Sequence, residues 1–229
     1  PLIGAILGFS GSMRGFYFTS IFLLAYFMLF FGFTSYYKKY PPKTFSKQKQ
    51  VESKFRLKQT LQIILRDKAL RYFITGCAIV YFGYVQQEAI FGEIVLHHFG
   101  NARLFSLMLS LNAVCVIIFQ IPLVKLLEDV SPFKNMMVGT LLVAMGISGV
   151  GIAGMHTWLY FVSELIFSVG EMLIFPFSGI VIDSIAPETL RGAYFGANTF
   201  QFMGRAIGPA IGGILVQYLS YASAMFIVG

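Results

Sequence analysis

The chain has 229 residues, of which 57% are apolar and 12% charged, with 25 Phe and a net charge of +7. So little charge cannot cover the surface of a soluble domain of this length. The basic excess does not point to nucleic acid, because 11 of the 17 Lys and Arg fall between Lys38 and Arg71. A cluster of that kind beside an apolar run reads as a cytoplasmic loop.

In chain order the apolar runs predict an all-α integral membrane protein of six complete spans and two partial ones, each complete one near the ~20 residues a bilayer requires. A partial span covers Pro1 to Phe9. Complete spans follow at Tyr17–Ser35, Leu70–Val95, Leu104–Leu127, Asn135–Met155, Trp158–Ile182 and Gly192–Gln217, and a last partial one starts near Tyr221. No initiator Met precedes Pro1, and both ends lie inside apolar runs, so the chain is expected to be cut at both ends. Cys77 and Cys115 sit in apolar runs without metal-like spacing and read as small buried residues.

Orientation follows from the loops. With residues 36–68 in the cytoplasm, Lys125, Lys134 and Arg191 also fall inside, for 14 basic residues, Arg71 counted at the boundary, against Arg14 and Arg103 outside. The inverse topology reverses that bias and is excluded. Within the loop, Leu57, Leu61, Ile64 and Leu65 share a helical face, with Lys54, Lys58 and Arg66 on another. That pattern suits either a helix lying on an anionic leaflet or a solvated linker. Three parts result: residues 1–35 closing a first bundle, 36–69 as basic linker, and 70–229 as a second bundle.

Comparison of the chain with itself finds Pro1-Leu2-Ile3-Gly4-Ala5-Ile6-Leu7 repeated as Pro209-Ala210-Ile211-Gly212-Gly213-Ile214-Leu215, 208 residues later. Both copies lie in spans running from inside to outside, as parallel repeated bundles of a transporter would. The second copy sits in Gly204-x3-Gly208-Pro209-x2-Gly212-Gly213, which resembles the glycine-proline signature of the major facilitator superfamily in its eleventh helix. The opening resembles the same signature in the fifth. The run Pro187-Glu188-Thr189-Leu190-Arg191-Gly192 is similar to the loop before helix 11. Gly170-Glu171 with Pro176, and Arg66-Asp67-Lys68, resemble the superfamily's bacterial drug:proton antiporters. Asp129 matches the acid of the family's charged turn between helices 8 and 9, although Lys125, Val130 and Pro132 depart from that pattern. The resemblance implies a truncated bundle running from mid-helix 5 to the start of helix 12, without helices 1 to 4.

Charges within a bilayer are costly, so each one inside a span is a functional candidate. Glu171 and Arg205 lie at similar depth, midway along their spans, and are expected to pair. Whether Glu171 titrates, meets a cationic substrate or is permanently paired stays open at this level. Glu164 lies seven residues before Glu171 on the same helical face. Tyr81, Tyr84 and Glu88 share one face, with Gln86 and Gln87 adjacent, a lining suited to a lipophilic cation. Asn198, Gln201 and Arg205 form a polar stripe that must face protein or a water-filled cavity. Asn112 and Gln120 read as interhelical hydrogen-bonders. Gly204, Gly208 and Gly212 form a smooth face for close helix approach, and Pro209 permits a kink. That face is either plain packing or a sliding seam between halves.

His97, His98 and His156 lie in external segments with no ligand spacing, so no metal is expected. No Walker GxxxxGK[ST] run occurs, which argues against ATP as energy source. The resulting expectation is a secondary transporter in the plasma (inner) membrane, not an enzyme, with no cofactor. It would work as a monomer, driven by protons and exporting amphipathic or cationic small molecules. Symport of a metabolite, sugar or peptide, or a non-transporting receptor or scaffold, are the rival readings.

Overall fold

The computed structural model describes residues 14–39, 64–100 and 103–229, with side chains in the first stretch described from residue 20 onward. The opening repeat copy and most of the basic linker lie outside the described residues. All regular structure among the described residues is helical.

Helix α1 (Arg14–Lys39) belongs to one compact unit, and everything described from residue 64 onward belongs to a second. Its apolar residues occur on every side, and from Ser20 they are exposed almost without exception. A helix apolar all round belongs in a membrane. Tyr26 stacks on Phe30, and Phe27 on Phe31, with ring centroids 6.3 Å apart in each pair.

The second unit contains α2 (Lys68–Ala89), α3 (Phe91–Phe99), α4 (Arg103–Leu126), α5 (Pro132–Ala153), α6 (Thr157–Ile185), α7 (Arg191–Asn198), α8 (Phe202–Tyr218) and α9 (Tyr221–Val228). Asp67 starts α2 by accepting from the Leu70 amide at 3.1 Å, the hydrogen bond that an N-cap supplies to an otherwise orphaned donor. Pro132 opens α5, where its missing N–H costs nothing. Gly100 ends α3 in the left-handed region, at φ 67°.

Among the described residues, four helices are long and apolar enough to cross a membrane: the Ser20–Lys39 part of α1, then α4, α5 and α6. The sequence predicts two further spans; the first continues through a turn at Ile90, and the second contains a 3-10 segment. Residues 70–95 divide into α2 and α3 at Ile90. The chain keeps helical dihedrals there (φ −94°, ψ −36°) and the Ile90 amide still reaches Gln86. Residues 192–217 divide into α7 and α8 through a 3-10 turn at Thr199–Gln201. A 3-10 segment inside a helix is a frequent mark of a hinge or functional site, and hydropathy carries no signal for it.

Glycine governs the two closest helix pairs. Between α5 and α6, a Cβ on Gly139 would stand 2.9 Å from the Gly170 carbonyl oxygen, and one on Gly146 2.7 Å from the Phe167 Cβ. Between α2 and α8, a Cβ on Gly204 would collide with the Ala78 carbonyl, on Gly208 with Val85 and on Gly212 with Gln86. The stripe at 204, 208 and 212 therefore packs inside one unit against α2, the plain packing alternative. Gly213 has open space around it and takes no part.

Two apolar clusters fill this unit. One gathers Phe91, Ile94, Met108, Ile147, Phe167 and Met225 among others, and the second joins Leu70 and Ile74 to Ile182, Tyr194 and Ala197. At the second, Asp67 also accepts from the Tyr194 hydroxyl, tying the start of α2 to α7. Arg191 closes the turn between α6 and α7 on Asp183, at 2.6 Å. Asp129 is exposed in the turn between α4 and α5.

Two predictions follow from this packing. Gly204→Val should cost about 1–3 kcal/mol or more through overpacking against backbone, read as a lower unfolding temperature in detergent, whereas Gly213→Val should be near neutral. Separately, the Tyr194 hydrogen bond holds the Asp67 carboxyl below its ordinary value of 3.8. A group lowered in the folded state stabilises above its unfolded value and loses that contribution as pH falls through the folded one. Tyr194→Phe should therefore lower the melting temperature at neutral pH, and the gap to wild type should close in acid.

Candidate functional site

Helix α6 carries Glu164 and Glu171 two turns apart on the side that faces α2 and α4. Glu171 accepts from the Tyr84 hydroxyl at 3.1 Å through Oε1 and from the Asn112 amide at 2.8 Å through Oε2. Asn112 donates to Ser168 as well, at 3.1 Å, so α4 joins α6 by side-chain hydrogen bonds, as the sequence predicts for Asn112. Both oxygens of Glu171 therefore meet neutral donors.

Glu164 is more enclosed, at 1% exposure. Gln87 Nε2 donates to both of its oxygens, at 2.6 Å each. A cavity of about 10 Å³ lies beside this pair, space on the scale of one water. Tyr84 and Gln87 are three residues apart on α2, and their acceptors are seven apart on α6. The two bonds thus form successive rungs between these helices.

The expected Glu171–Arg205 ion pair does not form. Arg205 instead bridges to Glu88 on α2, at 2.8 and 3.0 Å from its two oxygens. The reason is azimuth. Equal depth placed Glu171 and Arg205 together in the sequence reading, but the glycine face of α8 docks on α2 and turns Arg205 toward that helix. Both side chains of the pair remain nearly half exposed, 46% for Arg205 and 47% for Glu88. A half-exposed ion pair within a membrane protein belongs on a face toward protein or water.

An aromatic patch separates the paired charge from Glu171. The Tyr81 ring lies 5.0 Å from Phe202 and 5.4 Å from Phe175, and Tyr84 lies 5.2 Å from Phe175. Tyr84 also stacks on Phe167, at 5.3 Å. Rings around a carboxylate offer π faces and a negative charge to a cation.

The rest of the polar stripe on the last long span is set apart from this cluster by its bonding. Asn198 Oδ1 and Gln201 Oε1 are buried and have no hydrogen-bond partner among the described residues. Gln86, which the sequence places next to the face of Tyr81, Tyr84 and Glu88, turns instead to the helix-packing seam. Fully buried, it donates through Nε2 to the Gly208 carbonyl at 2.8 Å and to Phe82 at 3.1 Å, stitching α2 to the helix that contains Pro209. Among the described residues no group of three His, Cys, Asp or Glu could hold a metal ion.

If Glu88 and Arg205 act as a pair, removing one alone leaves the other charge unmatched. Arg205→Gln and Glu88→Gln should each destabilise the protein, and the double variant should recover part of the loss. The coupling should be about 1 kcal/mol, since both groups are half exposed. A double-mutant cycle on thermal unfolding measures it.

The family model described as Major Facilitator Superfamily matches residues 80–229. An uncharacterized MFS-type transporter of Bacillus subtilis (strain 168), YqjV, is 28% identical over 195 residues, which is 83% of this chain and 46% of that protein. A second, YdeE of Escherichia coli (strain K12), is 26% identical over 170 residues, 73% of this chain and 43% of its own length. The chain thus spans less than half the length of these relatives. No solved structure matches it.

Proposed function

The chain belongs to the major facilitator superfamily, and from that premise we propose that it is part of a proton-coupled exporter of amphipathic or cationic small molecules. The reading rests on one observation, the balance of charge in the second unit. Away from the helix ends, the described residues of this unit include three carboxylates, Glu88, Glu164 and Glu171, and one basic side chain, Arg205, which is committed to Glu88. Each charged residue at a bilayer centre costs ~2.5–3.5 kcal/mol even on the mildest scale. Two acids that meet only amides and hydroxyls are therefore places for cations, whether protons or a positively charged solute.

The surroundings of Glu171 favour a solute there. Tyr81, Tyr84, Phe175 and Phe202 provide flat apolar contact and cation–π attraction, and the Glu88–Arg205 pair extends the polar rim. A lipophilic cation would replace the Tyr84 and Asn112 donors at the carboxylate, losing two hydrogen bonds and gaining a direct charge pair. Alternating access by the family's helical bundles, residence in the plasma (inner) membrane and action as a monomer complete the reading.

The test uses the full-length protein in vesicles with an imposed proton gradient and a fluorescent lipophilic cation. Gradient-driven movement should fall at least about tenfold in Glu171→Gln at unchanged protein level, as expected when a single charge contact worth ~1.4 kcal/mol or more is lost. Movement retained in the variant would reduce Glu171 to a partner of Tyr84 and Asn112. No movement by the wild type would redirect the search to anionic and neutral solutes.

A further inference from the structure

Glu164 has no part in the solute site described above, yet it is the most buried acid of the second unit. Its small cavity, of about 10 Å³, is lined by Gln87, Phe91, Ile147, Val150, Phe167 and Met225. From α5 and α9 only apolar or small side chains face it, and α2 contributes the neutral Gln87. The remaining titratable groups near it are Cys115 on α4 and Glu171 farther along its own helix. A chamber on the scale of one water admits a proton and excludes an organic cation.

We infer that Glu164 is a proton-binding site separate from the solute site, and that Tyr84 links the two. This rests on the exporter reading for its solute but stands on separate geometry. The Tyr84 hydroxyl bonds Glu171 while its ring stacks on Phe167, a wall of the Glu164 chamber. A cation that takes the carboxylate of Glu171 displaces the hydroxyl, and the ring cannot leave without releasing Phe167. Gln87, one turn beyond Tyr84 on α2, moves with it and withdraws its amide from Glu164. Water entering the opened chamber takes over as hydrogen-bond donor to Glu164 and solvates its charged form, so the proton passes to that water and a hydrated carboxylate remains. Solute binding and proton release are thereby coupled without the two ligands sharing one acid.

The experiment measures binding of tetraphenylphosphonium to the full-length protein in detergent across pH, together with proton release read by a pH dye. Linkage requires that release of about one proton per bound cation raise the apparent affinity about tenfold per pH unit. The wild type should show that slope. Glu164→Gln should keep its affinity at high pH within about threefold and lose both slope and proton release. Tyr84→Phe, which keeps the ring and loses the hydroxyl, should bind the cation with a flattened slope and serves where Glu164→Gln fails to fold. A wild-type slope of zero, or a full slope in either variant, overturns the inference. If tetraphenylphosphonium does not bind, the solute reading fails. The proton site is then decided by infrared difference spectroscopy, in which a carboxylic C=O band must respond to pH in wild type and vanish in Glu164→Gln. A band that persists in the variant overturns it.

Discussion

Inside a bilayer a polar side chain has no water to turn to, so its partner must come from a neighbouring helix, and the arrangement of the second unit follows from that need. Glu171 obtains Tyr84 and Asn112, Glu164 obtains Gln87, and Arg205 obtains Glu88. Three of those four partners are on α2. This helix is thus both the rail on which α8 packs and the source of donors for α6. A change in any one of its polar side chains is felt by two helices.

Glycine makes such a rail possible. Where Gly204, Gly208 and Gly212 meet α2, backbones approach until a methyl group would collide. Helix association in membranes gains little from hydrophobic transfer and depends on close packing and interhelical hydrogen bonds. Gln86 supplies such a bond at the same seam, on the carbonyl just before Pro209. The α5–α6 pair uses the same device through Gly139, Gly146 and Gly170. The departures from regular α-helix in this unit include the 3-10 turn at residues 199–201 and the turn at Ile90. Each falls beside the polar cluster rather than at random along the spans.

The acids differ in environment as much as in position. Glu88 is half exposed and matched by a full charge, Glu171 is covered by two neutral donors at the edge of an aromatic patch, and Glu164 is enclosed with one amide. Groups of one chemical type held in three settings can take three roles, because the local medium decides which charge state each tolerates. Side-chain packing around Phe167, on which the Tyr84 ring stacks, stands between the settings of Glu171 and Glu164.

By itself the sequence determined the membrane class and the helical content, because these depend on sums over ~20-residue windows. It also determined which residues are costly enough to matter: Glu88, Glu164, Glu171 and Arg205 stand out in any apolar run. It could not determine who pairs with whom. Depth along a span is readable from residue count, but the direction a side chain points depends on how its helix is rotated against neighbours. That rotation is set by contacts distant in sequence, such as Gly204 on Ala78. Hence the expected Glu171–Arg205 pair gave way to Glu88–Arg205, and a 3-10 turn divides the span read as continuous at residues 192–217. Tertiary structure alone placed Tyr84 between Glu171 and Phe167, since three residues from two helices meet there only after the helices have docked.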